Sequence, residues 1–198
     1  MKSRTPSPFW PEIERAYFAR RDELREKFAR DLPFQDAMFD RWERARTLGF
    51  GEGASIYNSA LVFGDVQVGP GTWIGPYTLL DGSGGTLLIG ATCSISAGVQ
   101  IYTHDTVAWA LSGAVAKPRL GAVKIGDRCH IGSQSIIAPG VEVGQCSVVA
   151  ANSFVCESVS DFNVVGGSPA RPLGRIEIGN QAIRIVYESG RETILPLV

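Results

Sequence analysis

Large aliphatic residues recur six apart in three blocks: Ile56, Val62, Val68, Ile74 and Leu80, then Ile89, Ile95 and Ile101, then Ile125, Ile131, Ile137, Val143, Val149 and Val155. A step of six matches neither the three-, four- and seven-residue spacings of a helical stripe nor the alternation of a lone strand. It fits a short strand and a corner. Four residues beyond most of these aliphatics stands a small or β-branched residue, as at Ala60, Val66, Thr72, Thr78, Cys93, Val99, Ser135, Val141, Ser147 and Ser153. Glycine often follows the aliphatic directly, as at Gly69, Gly75, Gly90, Gly126, Gly132 and Gly144. The large residues are expected to point inward and the small ones to fit the corner. The glycines are expected to supply backbone dihedrals that β-branched residues resist. Three units would close a triangular coil of about 18 residues, stacked on the next coil at roughly 4.8 Å. The expectation is a mainly β solenoid of about four to five coils around a column of Ile, Leu and Val.

The chain has 198 residues with a formal net charge of −1, its 19 basic residues nearly balancing 20 acidic ones, which gives no footprint for nucleic acid. No apolar run approaches the roughly 20 residues of a membrane span, and Met1–Thr5 leads into no signal-like core, so a cytoplasmic protein is expected. Cys93, Cys129, Cys146 and Cys156 show no metal-knuckle spacing. Cys93 and Cys129 fall at the small fifth place of their units, where free thiols pack as small hydrophobes.

Trp10, Ile13, Tyr17, Leu24 and Phe28 sit among charges in a first helix that is expected to end near Asp31, before Pro33. Phe34, Met38 and Trp42 step by four, with Phe39 beside them, and predict a second helix with one apolar face. Residues 1–53 are read as a helical cap over the open end of the solenoid, with a subunit contact or an acceptor-binding arm as the functional alternatives. Ile176–Ile178, Ala182–Tyr187 and Thr193–Leu195 alternate like strands, with Glu188–Arg191 as a turn, so residues 174–198 are read as a capping strand pair.

Units such as Val68-Gly-Pro-Gly-Thr-Trp73, Ile125-Gly-Asp-Arg-Cys-His130 and Ile131-Gly-Ser-Gln-Ser-Ile136 resemble the hexapeptide repeats of the left-handed parallel β-helix acyltransferases, over about residues 54–173. The resemblance alone implies the left hand, since crossover connections are ordinarily right-handed. It also implies a homotrimer with sites between subunits, and acetyl-CoA as acyl donor. Asn163–Arg171 looks like the segment that ends the β-helix in such acetyltransferases.

The six-residue pattern fails twice, and breaks in a regular scaffold are where function is grafted. Asp81–Leu88 is a glycine-rich bulge with three extra residues. Residues 107–122, including Trp109, form an extruded loop. His104 stands just before that loop, in Tyr102-Thr103-His104-Asp105, and the resemblance implies that it is the general base. An imidazole with a pKa near 6.5 suits removal of an acceptor proton at neutral pH. Asp105 or Asp81 would orient it or bind the acceptor, although Asp105, adjacent on a strand, should point to the opposite face. Trp109 is a further candidate on the acceptor side. Gly132, Ser133 and Ala151 match the corner whose backbone meets the pantetheine arm, and Arg171 and Arg175 are the candidate cations for the cofactor phosphates. His130 either flanks the cofactor channel or is a plain surface residue.

A zinc site of three histidines cannot be assembled from the two present, His104 and His130. The remaining rivals are an N-acetyltransferase acting on an amino sugar and a non-enzymatic assembly strut. The expected reaction is transfer of acetyl from acetyl-CoA to a sugar hydroxyl in a nucleotide sugar, a saccharide or a surface-polysaccharide precursor.

Overall fold

The structure, a computed structural model, describes residues 9–197. The reading of Met1–Thr5, and the ends of the two flanking segments at residues 1–8 and 198, lie outside the described residues.

Thirteen of the fourteen aliphatics are buried, and Val62 is half-buried. Each sits at the inward place of a short strand, and successive coils stack them in register on three parallel faces. The first face runs Ile56, Ile74, Ile95, Ile131, Val149, Val165. The second runs Val62, Leu80, Ile101, Ile137, Val155. The third runs Val68, Ile89, Ile125, Val143, Val159. Five coils are therefore complete and a sixth begins. The sequence expectation ended at Val155, because the next step, to Val159, is four rather than six and breaks the phase before Val165. Burying each large aliphatic contributes roughly 1.5–3 kcal/mol, so the column dominates the stability of the solenoid.

Corner chemistry differs from expectation in one respect. The left-handed conformation falls on the fourth residue of the unit, where Tyr77, Thr92, Arg128, Gln134, Cys146 and Asn152 have φ of 53° to 62°. Glycine at the second place serves close approach instead. A Cβ on Gly132 would lie 2.4 Å from the Ala151 nitrogen, and one on Gly126 would lie 2.6 Å from that of Gln145. The buried hydroxyls of the fifth place are satisfied by carbonyls: Thr72 donates to Gly90 at 2.7 Å, Ser135 to Ala150 at 2.9 Å and Ser147 to Ser160 at 3.0 Å. Cys93, Cys129 and Cys146 are buried and Cys156 is exposed. The Cys129 thiol is pushed up by its neighbour Cys93 and by burial, which suits a packing role.

Both breaks keep more order than the sequence suggests. Leu79–Ile89 is one continuous strand along Leu61–Val68, with a register shift between Gly64 and Val66. Here the backbones approach so closely that a Cβ on Gly82 would sit 2.1 Å from the Asp65 carbonyl oxygen. Thr86 Oγ1 donates to Asp65 Oδ2 at 2.7 Å, tying the bulge to the preceding coil. The long loop leaves through His104–Asp105 and returns through Arg119–Leu120, an antiparallel pair that forms a stem.

Helix α1, Phe9–Phe28, ends three residues before Asp31, and the expected single second helix is two, α2 at Phe34–Met38 and α3 at Arg41–Thr47. Asp40 is the reason: its carboxylate accepts from the backbone N–H of Trp42 and of Glu43 and starts a new helix, while Phe39 is extended. Ala45 in α3 and Phe50 just beyond it join the core cluster over the first coil. Arg44 fastens α3 to that coil through the carbonyls of Tyr57 and of Ala60, the latter at 2.8 Å. At the other end Asn163–Gly167 turns antiparallel into Ala170–Ile178, followed by Ala182–Tyr187 and Glu192–Pro196. The tail is thus a three-stranded meander rather than a pair of strands, one strand for each of the three alternating segments, and the first of them begins at Ala170, six residues before Ile176.

Candidate functional site

The bulge and the loop stem meet at one corner, between the second and third faces. His104 emerges there with its side chain 36% exposed, against Asp81, whose side chain is only 4% exposed. Asp81 Oδ2 lies 2.8 Å from His104 Nδ1. The other carboxylate oxygen accepts the Ser83 N–H at 2.9 Å and also the Ser83 hydroxyl. Ser83 Oγ is 3.4 Å from the same His104 nitrogen. Nδ1 is therefore the nitrogen held by the protein. Nε2 has no hydrogen-bond partner among the described residues, so in the Nδ1–H tautomer its lone pair faces outward and can take a proton.

Of the two carboxylates considered from sequence, Asp81 contacts the imidazole. Asp105 instead accepts the Val107 N–H at 3.1 Å and approaches Arg119 at 4.0 Å, bracing the stem of the loop. Its side chain leaves the opposite side of the strand, as the alternation of a strand requires. Trp109 lies on α4, Val107–Leu111, and is 46% exposed, with no hydrogen bond or ring contact to His104 among the described residues. Val107, Leu111, Val115 and Leu120 of the same loop are also exposed.

Ser133 and Ala151 occupy one corner of successive coils, joined by the Asn152 N–H donating to the Ser133 carbonyl at 2.8 Å. Both are exposed, and with Gly132 they keep that edge narrow. His130, in register with Ser94 and Val148, is pushed to a lower pKa by burial against its neighbours, although part of the ring stays open to solvent. Arg171 pairs with Glu157 at 3.4 Å and Arg175 with Glu177 at 3.0 Å; both are exposed ion pairs that an anion could exchange at little cost. No group of three or more potential ligands stands ready for a metal ion among the described residues.

Ser83, Thr103 and Gly84 were not singled out from sequence. Thr103, fully buried, donates to the Asp81 carbonyl at 2.8 Å and accepts the Gly84 N–H at 2.9 Å. The signal was present for Ser83. Asp81-Gly82-Ser83 is the pattern in which an aspartate accepts the N–H two residues on.

Residues 122–156 match the family described as the hexapeptide repeat of succinyl-transferase. A chloramphenicol acetyltransferase of Morganella morganii is 32% identical over 120 residues, 52% of this chain and 57% of that protein. The carnitine operon protein CaiE of Salmonella agona is 31% identical over 128 residues, 62% of this chain and 65% of that protein. The chain thus spans about three fifths of the length of these curated relatives. Among solved structures, a mutant of AntD, an N-acyltransferase from Bacillus cereus in complex with dTDP and Coenzyme A, aligns with a TM-score of 0.56 at 25% identity, covering 67% of this chain and 88% of that one. The stacked hexads, the repeat matched over residues 122–156 and this shared coil make the solenoid a left-handed parallel β-helix of the kind built from hexapeptide repeats.

Proposed function

We propose that the protein transfers an acetyl group from acetyl-CoA to a sugar hydroxyl, with His104 as general base. The observation that carries this reading is the arrangement at the corner: Asp81 holds Nδ1 and Nε2 is left open beside the extruded loop. Acetyl transfer by the chloramphenicol acetyltransferase and acyl transfer by AntD support the donor class, and Coenzyme A bound to AntD supports a thioester. The acceptor oxygen attacks the thioester carbonyl as Nε2 takes its proton. The tetrahedral intermediate, its oxyanion held by a backbone N–H, collapses by breaking the C–S bond, and the imidazolium returns the proton to the departing CoA thiolate. No acyl-serine is required. Ser83 directs its proton to Asp81 and faces the imidazole nitrogen already taken.

Ser133, Ala151 and Gly132 line the edge for the pantetheine arm, and Arg171 and Arg175 meet the phosphates by leaving their surface partners. Trp109 and the loop border the acceptor. The catalytic corner is completed by a neighbouring copy in a homotrimer. On the second face the outward row reads Leu61, Leu79, Gln100, Ile136, Phe154 in strand register, apolar at four of five places, which supports association through that face. Residues 1–53 and 174–198 cap the two ends of the catalytic unit at 54–173. The setting is the cytoplasm, where acetyl-CoA and nucleotide sugars or polysaccharide precursors meet; among the described residues no helix is long and apolar enough to cross a membrane.

The test combines binding with turnover. Acetyl-CoA at 100 times its dissociation constant should raise stability by about 2.7 kcal/mol per site in thermal unfolding. In a thiol-release assay with saccharide acceptors, His104→Ala should lower kcat by about two to four orders of magnitude without changing the far-UV spectrum. Absence of any shift with acetyl-CoA or CoA would sink the donor assignment, and near-normal turnover in His104→Ala would remove the base. Turnover with amino-sugar acceptors alone would move the reading to N-acetylation, in line with AntD being an N-acyltransferase.

A further inference from the structure

The glycine-rich bulge carries a function of its own at the His104 corner. Asp81 is buried, so both of its oxygens need hydrogen-bond donors. One oxygen has the His104 Nδ1–H at 2.8 Å. The other has two donors from one residue, the N–H of Ser83 at 2.9 Å and its hydroxyl. Those two bonds stop the carboxylate from rotating about its last torsion and keep Oδ2 aimed at the imidazole.

The bulge is itself pinned. Thr103 bridges the Asp81 carbonyl and the Gly84 N–H at 2.8 and 2.9 Å. A Cβ on Gly84 would come 2.6 Å from His104 Cβ and 2.3 Å from the Thr103 carbonyl oxygen, so the missing side chain lets the bulge lie directly against the histidine. The three residues by which this coil exceeds the preceding one are what bring the Ser83 donors to Asp81.

From this we infer that Ser83 is a positioning residue: acting through Asp81, it fixes His104 in the Nδ1–H tautomer with Nε2 as the proton acceptor. The inference rests on the acetyl-transfer reading for its consequence in catalysis, but not for its effect on the imidazole. Nothing else on the Nδ1 side of the ring donates to or accepts from it among the described residues.

The chain has two histidines, so His130→Gln leaves one imidazole for nitrogen-15 NMR. In that background His104 should give the Nδ1–H tautomer signal. Ser83→Ala should give a mixture of tautomers, and Ser83→Thr, which keeps the hydroxyl, should restore the single form. In the otherwise native chain Ser83→Ala should lower kcat about tenfold, the equivalent of one lost bond to a charged group, with KM for acetyl-CoA unchanged. Ser83→Cys, similar in shape and a weak donor, carries the same test if Ser83→Ala does not fold. An unaltered tautomer signal in the variant overturns the inference whatever the kinetics. A native protein that turns over no acceptor while Ser83→Ala still scrambles the tautomer would instead sink the acetyl-transfer reading and leave the role of Ser83 on the imidazole standing.

Discussion

The two histidines sit on similar strands and differ in what surrounds them. His104 has a buried carboxylate on one nitrogen and open space on the other, an asymmetry that suits a general base. His130 has only desolvation, which favours its neutral form and lowers its pKa below the unfolded value near 6.5. The sign of the linkage follows. Between the lowered folded pKa and about 6.5 the unfolded chain binds more protons, so the contribution of His130 is fully present above pH 6.5 and is lost as pH falls toward its folded pKa. Urea midpoints at pH 5.5 and 7.5 should therefore differ less in His130→Gln than in the native chain; an identical difference in both would remove His130 as the cause. His104 was legible from its place at the head of a break in the repeat. Its carboxylate partner was not resolved from sequence, because Asp105 is adjacent in the chain and Asp81 adjacent only in space. The side-chain alternation of a strand already favoured Asp81, but the three-residue bulge had to be placed before the distance could be known.

At the scale of elements, the long loop and the helical arm show how local signals compete with periodicity. The four-residue step of Phe34, Met38 and Trp42 predicts one helix, yet Asp40 interrupts it, since an aspartate ahead of a helical segment satisfies N–H groups that would otherwise be left without partners. Asp40→Ala should cost about 1 kcal/mol in a reversible denaturant titration. A larger loss, of roughly 3 kcal/mol or more, would mean that Asp40 supports the docking of α3 on the first coil and not merely its start. Arg44 is the stronger link in that docking, because its guanidinium satisfies two carbonyls at the end of the solenoid. The bulge at Asp81–Leu88 looked like an excursion because its spacing breaks the count of six. The backbone instead stays in the sheet, and glycine at positions 64 and 82 makes that possible by letting the two coils touch.

For the whole molecule, stability uses the inward row of the strands, and the proposed homotrimer would use the outward row. The inward row is sealed within one chain except at the half-buried Val62. The outward row on the second face, Leu61, Leu79, Ile136 and Phe154, remains partly in water, with Leu61 52% and Phe154 37% exposed. Placing a carboxylate in this row, as in Leu61→Glu or Phe154→Glu, should weaken self-association by about tenfold or more while leaving the inward column and the far-UV spectrum intact. Sedimentation velocity over a range of concentrations reads this directly, and an undiminished oligomer would place the interface elsewhere. Under the intersubunit reading the dissociated variant should also lose turnover; a fully active monomer would refute it.

The sequence alone determined the solenoid, its three-sided cross-section, the two breaks and the histidine at the second of them. A column of buried aliphatics at a fixed interval leaves few other ways to keep every large residue out of water. Tertiary structure decided which carboxylate faces that histidine, that Ser83 holds the carboxylate in place, and that the glycines after the aliphatics are there for the next coil rather than for their own dihedrals. Those contacts join residues one coil apart, and the distance between coils is fixed by hydrogen bonding across the stack, which no spacing along the chain records.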